Sequence, residues 1–146
     1  MGVLIDNRQK KHRISQKRIS KKAQVILNAS DNPDAELSIL LVDDLEIESL
    51  NQQYLNRQGP TNVIAFPMQE GEFVRISPQL LGDVVISLDT AEREGRLAGI
   101  SMESRLDQLL IHGILHLIGY DHEKNAVDAR RMEYKSNELL HLIENI

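Results

Sequence analysis

The chain has 146 residues, no cysteine and a net charge of −5, a length that suits one domain with one substantial core. Missing cysteines exclude a disulfide framework and any thiolate zinc site and agree with a reducing cytoplasm. No window is apolar over the length a membrane span needs and no leader-like segment opens the chain, so the expectation is one soluble, cytoplasmic domain over residues 1–146 with no membrane partner.

In chain order, Gly2 to Asp6 is a short run of strand character, followed by a basic stretch. Eight of the 17 Lys and Arg residues (Arg8, Lys10, Lys11, Arg13, Lys17, Arg18, Lys21 and Lys22) lie in the first 30 positions beside one acid, Asp6, and the other 116 positions carry 9 basic and 21 acidic side chains. This local positive charge is either a solvated helix face or a surface for phosphates. Ile19, Ala23, Ile26 and Leu27 recur at helical spacing opposite Lys17 and Lys21, predicting a helix from about Ser15 to Ala29. Asp31-Asn32-Pro33-Asp34 breaks it. Leu37 to Val42 is an apolar run of strand length, and Asp43, with Glu46 three residues on, is an N-cap for a helix expected to carry Leu45, Leu50 and Tyr54 on its apolar face. Gly59-Pro60 stops that helix.

Val63 to Phe66 and Val84 to Ile86 are two further strand candidates, separated by a polar, loop-like stretch containing Pro67, Gly71 and Pro78. A helix from about Asp89 to Leu97 ends at Gly99, and Ser101 caps the next, which runs to Ile118. The last helix spans about Asn125 to Ile143, with Ala129, Met132, Leu139, Leu140 and Ile143 at roughly helical spacing. The helix ending at Ile118 is apolar around most of its circumference, from Leu106 through Leu109, Leu110, Ile111, Ile114, Leu115 and Leu117, so it is expected to be a buried central helix.

Two histidines on such a helix need a reason, because an unpaired buried imidazole costs about 1–3 kcal/mol. His112 and His116 are four apart, one turn on the same face, and can hold one metal ion between them. Gly119 closes the helix in the left-handed conformation and allows His122 to return as a third ligand. Zinc accepts three imidazoles and keeps a fourth position open in catalytic sites. The alternative is a pair of core histidines satisfied by hydrogen bonds. His12 and His141 are distant in sequence and expected to be solvated surface residues. The frame H-x-x-x-H-x-x-G-x-x-H has metzincin spacing, but the position of the general-base glutamate is Gly113, so a peptidase is disfavoured. That glycine also permits close approach inside the core.

The string H-G-I-L-H-L-I-G-Y-D-H from His112 to His122 resembles the YbeY family of bacterial metal-dependent endoribonucleases. Supporting it are Leu50-Asn51 with Tyr54, Pro60-Thr61-Asn62-Val63-Ile64-Ala65-Phe66-Pro67 and Leu81-Gly82-Asp83-Val84-Val85-Ile86-Ser87. The resemblance implies an α+β fold of zincin-like character, a mixed β-sheet flanked by helices, with one zinc ion per chain on His112, His116 and His122. It also implies cleavage of single-stranded RNA in ribosomal RNA maturation and ribosome quality control, with ribosomal RNA or the ribosome as partner. Two positions depart from the family. Leu55 stands where an arginine important for RNA cleavage is usual, with Arg57 two positions on as a phosphate contact, and Ala65 stands where serine or threonine is frequent.

On this expectation zinc polarises a phosphodiester oxygen and brings the pKa of a water to about 7. Asp121 then orients a ligand imidazole or accepts a proton, or else serves only as a turn residue. A ribosome-associated RNA-binding factor with a mainly structural metal is the competing reading, favoured by Leu55, and a metalloprotease is the third. With only two Phe and three Tyr, base stacking is limited.

Overall fold

The computed structural model describes residues 2–68, 80–120 and 125–146. It is an α+β arrangement in which four strands, β1 (Val3–Asn7), β2 (Glu36–Val42), β3 (Val63–Pro67) and β4 (Leu80–Ser87), form one mixed sheet in the order β1-β2-β4-β3. β1 and β4 run parallel to β2, and β3 is antiparallel to β4. Among the described residues five helices accompany the sheet: α1 (Gln16–Ala29), α2 (Asp44–Leu55), α3 (Leu88–Ala98), α4 (Met102–Ile118) and α5 (Ala126–Ile143). No helix among them is long and apolar enough to cross a membrane. The expected loop segment containing Gly71 and Pro78 lies outside the described residues.

Strand alternation divides the interior into two clusters. Leu37, Ile39 and Leu41 of β2 and Leu81, Val84 and Ile86 of β4 face the large core shared with α1, α4 and α5, while Val42 and Val85 point the other way and join Ile47 of α2 and Ile64. β2 and β4 are thus covered on both faces, which explains their unbroken apolar runs. α4 packs on β3 and β4 and against α1, α3 and α5. It is the buried central helix that its composition predicted.

The N-caps anticipated at Asp43 and Ser101 are formed, and Ser15 adds one for α1. Ser15, Asp43 and Ser101 accept hydrogen bonds from the backbone N–H groups of Arg18, Glu46 and Ser104, satisfying donors that the first helical turn leaves orphaned. Two expectations fail on longer-range contacts. In α2 the buried residues are Ile47 and Asn51, whereas Leu45 and Tyr54 are 78% and 61% exposed. Ile47 points at the sheet, and Asn51 is buried because its Nδ2 donates to the Gly59 carbonyl at 3.0 Å. The helix stops earlier than Gly59, at Asn56 in the left-handed conformation (φ 54°).

His12 is the second correction. Its side chain is 6% exposed, with Nε2 at 2.8 Å from Asp89 and Nδ1 at 3.1 Å from Glu92, so it ties the chain before α1 to the start of α3. Burial pushes the Asp89 carboxyl upward, but hydrogen bonds from His12 and from the Asp44 N–H outweigh it and hold the group below the usual carboxylate range. His141 is exposed, as expected.

Candidate metal centre on the central helix

The site grows out of the face of α4 that meets β3 and β4. Their close approach depends on Gly113. A Cβ there would sit 2.6 Å from Val84 Cγ1 and 3.2 Å from Val63 Cγ2, closer than carbon atoms tolerate. Gly113→Ala is therefore expected to destabilise the chain by about 1–3 kcal/mol through overpacking, read as a lowered urea midpoint. An unchanged midpoint would show that the valines can yield. The glutamate that a peptidase carries at this position has no room.

On either side of that contact, His112 and His116 stand one turn apart and half-buried. Their ring centroids are 4.5 Å apart at 71°, and the two Nε2 atoms lie 3.0 Å from each other. Two imidazoles on one tetrahedral zinc, with Zn–N of about 2.0–2.1 Å, hold their nitrogens about 3.3 Å apart. The pair fits that requirement, and neutral imidazole is a donor suited to zinc.

Gly119 ends α4 with φ 117° and ψ 3°, its N–H donating to the carbonyls of Leu115 and His116, while the Tyr120 N–H donates to Leu115. This left-handed closure is the one the sequence predicted. His122 and Asp121 lie outside the described residues, and among those described no three His, Asp or Glu side chains gather in a way that could hold a metal. Arg57 is exposed in the loop leaving α2, its backbone N–H donating to Asn51 at 3.2 Å, and Leu55 is the exposed last residue of that helix. The structure thus brings together His112 and His116 and leaves Arg57 on the surface.

Sequence reasoning missed a polar relay beside His112. Arg105 reaches Glu94 from α3 at 3.0 Å and donates from Nη1 to Gln108 Oε1 at 2.6 Å. Asn62 donates to the same Glu94 carboxylate at 3.2 Å and accepts from the Val63 N–H at 2.7 Å. Positions 105, 108 and 112 share one face of α4, and that polar stripe on an otherwise apolar helix was the available signal. A pocket of about 310 Å³ opens there, lined by Asn62, Arg105, Gln108, His112, Ser136 and Asn137 together with aliphatic side chains.

Comparison with known proteins places the chain in a family. The sequence profile of the family described as Endoribonuclease YbeY matches residues 4–144. Endoribonuclease YbeY of Syntrophotalea carbinolica is 57% identical over 141 residues, covering 95% of this chain and 94% of that relative. The Geobacter sulfurreducens protein of the same name is 51% identical over 146 residues, covering 99% and 97%. Among solved structures, a Thermotoga maritima protein determined in solution is similar with a TM-score of 0.66 and 25% identity, over 97% of this chain and 88% of that one.

Proposed function

The chain belongs to the YbeY family of endoribonucleases, and from that premise we propose that it cleaves single-stranded RNA with one zinc ion, acting on ribosomal RNA in maturation and in ribosome quality control in the cytoplasm. The observation that carries the reading is the convergence of the His112 and His116 Nε2 atoms to 3.0 Å on a buried helix. Polar nitrogens placed so close inside an apolar layer suit a shared cation. His112 and His116 would hold the zinc, with His122 as the third ligand after the turn at Gly119. When bound, zinc supplies Lewis acidity to a phosphodiester oxygen and a supply of hydroxide near neutral pH.

The protein's own residues do the rest. Asp121 orients a ligand imidazole or takes a proton, and Arg57 contacts a phosphate in place of the arginine that Leu55 displaces. Incubation of the purified protein with single-stranded RNA and with an unfolded polypeptide, each with and without chelator, tests the assignment. The expected result is chelator-sensitive RNA cleavage with the polypeptide intact. RNA binding without cleavage would favour a ribosome-associated binding factor, the reading that Leu55 supports, and polypeptide cleavage would restore the peptidase.

The basic segment supplies the longer-range attraction. Lys17 and Lys21 are exposed on α1, while Arg18 and Lys22 of the same helix are paired with Glu103 and Asp107. Replacing Lys17 and Lys21 with alanine is expected to reduce the slope of log affinity against log salt by about 1.4, at about 0.7 per lost phosphate contact on a single strand. Fluorescence anisotropy across a salt series reads this out. An unaltered slope would mean a solvated helix face.

A further inference from the structure

Beside His112, the relay built on Glu94 leaves the Gln108 NH2 without a hydrogen-bond partner among the described residues. Arginine only donates, so the 2.6 Å contact from Arg105 fixes Gln108 with its oxygen toward the guanidinium and its NH2 turned away. Arg105 is itself held by Glu94, which Asn62 also grips. The Asn62 side chain donates to Glu94 and accepts from the Val63 N–H. Gln108 therefore offers an oriented donor to the pocket, one helical turn before His112 on the same face.

The pocket's electrostatics narrow its ligand. The only cation among the described lining residues, Arg105, is neutralised by Glu94, so this is a poor place for a phosphate. Its walls are aliphatic, from Val63, Leu109 and Leu140, and its remaining polar groups are the His112 imidazole, the amide of Asn137 and the hydroxyl of Ser136. Its volume of about 310 Å³ is at the lower end of small-molecule sites, roughly 300–1,000 Å³, room for a single nucleoside. Single-stranded RNA presents bases that can be splayed out and read along their edges.

We propose that this pocket receives the base of one nucleotide next to the cleaved phosphodiester, and that Gln108, positioned by Arg105 and Glu94, donates to a carbonyl oxygen of that base. The inference rests on the endoribonuclease reading above and adds a specificity determinant to it. Uracil and guanine offer such an oxygen on the edge where adenine carries an amino group, so a preference against adenine at one flanking position follows.

The test is cleavage of a single-stranded RNA pool randomised around one scissile position by the full chain, Gln108→Ala and Gln108→Glu, with zinc content measured for each. The parent is expected to disfavour adenine at one flanking position by about fivefold, the ratio a single net hydrogen bond gives. Gln108→Ala should flatten that preference and raise KM with little change in kcat. Gln108→Glu keeps a partner for Arg105, so it holds the local structure while replacing the donor with an acceptor, and it should reverse the preference toward adenine. Equal zinc content with an unaltered preference and KM in both variants would overturn the pocket assignment and leave the nuclease reading standing. A parent that cleaves no RNA would remove the nuclease reading, and this inference with it.

Discussion

His116→Ala is expected to empty the metal centre and stop RNA cleavage while the chain stays folded. The imidazole is half-buried at the edge of α4, and its Nε2 is one of the two that converge beside Gly113. Removing it deletes a donor, whereas the Gly113 contact and the leucine and isoleucine layer of α4 remain. Loss of a group that merely supports a ligand costs about 10–100-fold in metal affinity or activity, and loss of a ligand itself should exceed that. Elemental analysis should fall from close to one zinc per chain to a small fraction, cleavage should drop beyond the 100-fold mark, and the circular dichroism spectrum should persist. A variant that retains zinc and activity would show that His112 and His116 form a core hydrogen bond and nothing more.

The largest stability effect is expected from Asp107→Ala. Lys22 on α1 places its Nζ at 2.9 and 3.1 Å from the two Asp107 oxygens, with the side chains 4% and 8% exposed. Burial pushes the Asp107 carboxyl up and the hydrogen bond from Lys22 pulls the other way, leaving it above the usual range. Taking away the carboxylate strands an ammonium group in the interior. Glu103, at 3.7 Å and half exposed, is a weak substitute. Breaking a buried pair in this way costs about 3–5 kcal/mol, a large share of the ~5–15 kcal/mol that holds a domain together. Urea unfolding reads the loss directly. The double replacement Lys22→Met with Asp107→Leu should recover most of it, because packed apolar groups escape the desolvation penalty. A single-variant loss below about 1 kcal/mol would mean that water reaches the ammonium and the pair adds little.

Both predictions concern α4, yet their residues were not equally visible beforehand. His112, His116 and Gly119 announce themselves because their meaning is local: one helical turn, one face, one left-handed closure. The helix caps at Asp43 and Ser101 are legible for the same reason, since each cap and its partner lie three residues apart. Lys22 counted only as one of many basic residues near the N-terminus. Its partner is 85 positions away, and nothing in either neighbourhood names the other. His12 and Asp89, 77 positions apart, follow the same logic, as do Asn62, Glu94 and Arg105 around the pocket.

The face of α2 shows where periodicity stops being informative. Leu45, Leu50 and Tyr54 are the obvious apolar residues, but the helix has one sheet face to cover and presents Ile47 to it with Leu50 partly buried alongside, while Leu45 and Tyr54 stay exposed and Asn51 is satisfied by the Gly59 carbonyl. Hydrophobicity says which residues would gain from burial. Geometry says which of them find a neighbour.

The order of the elements, the buried character of α4 and the shared direction of His112 and His116 were written in short-range patterns, because backbone hydrogen bonding and side-chain periodicity act over only a few residues. Which charges pair inside, how Gln108 is aimed and which side of α2 meets the sheet emerged with assembly, because those choices depend on groups that only folding brings within reach.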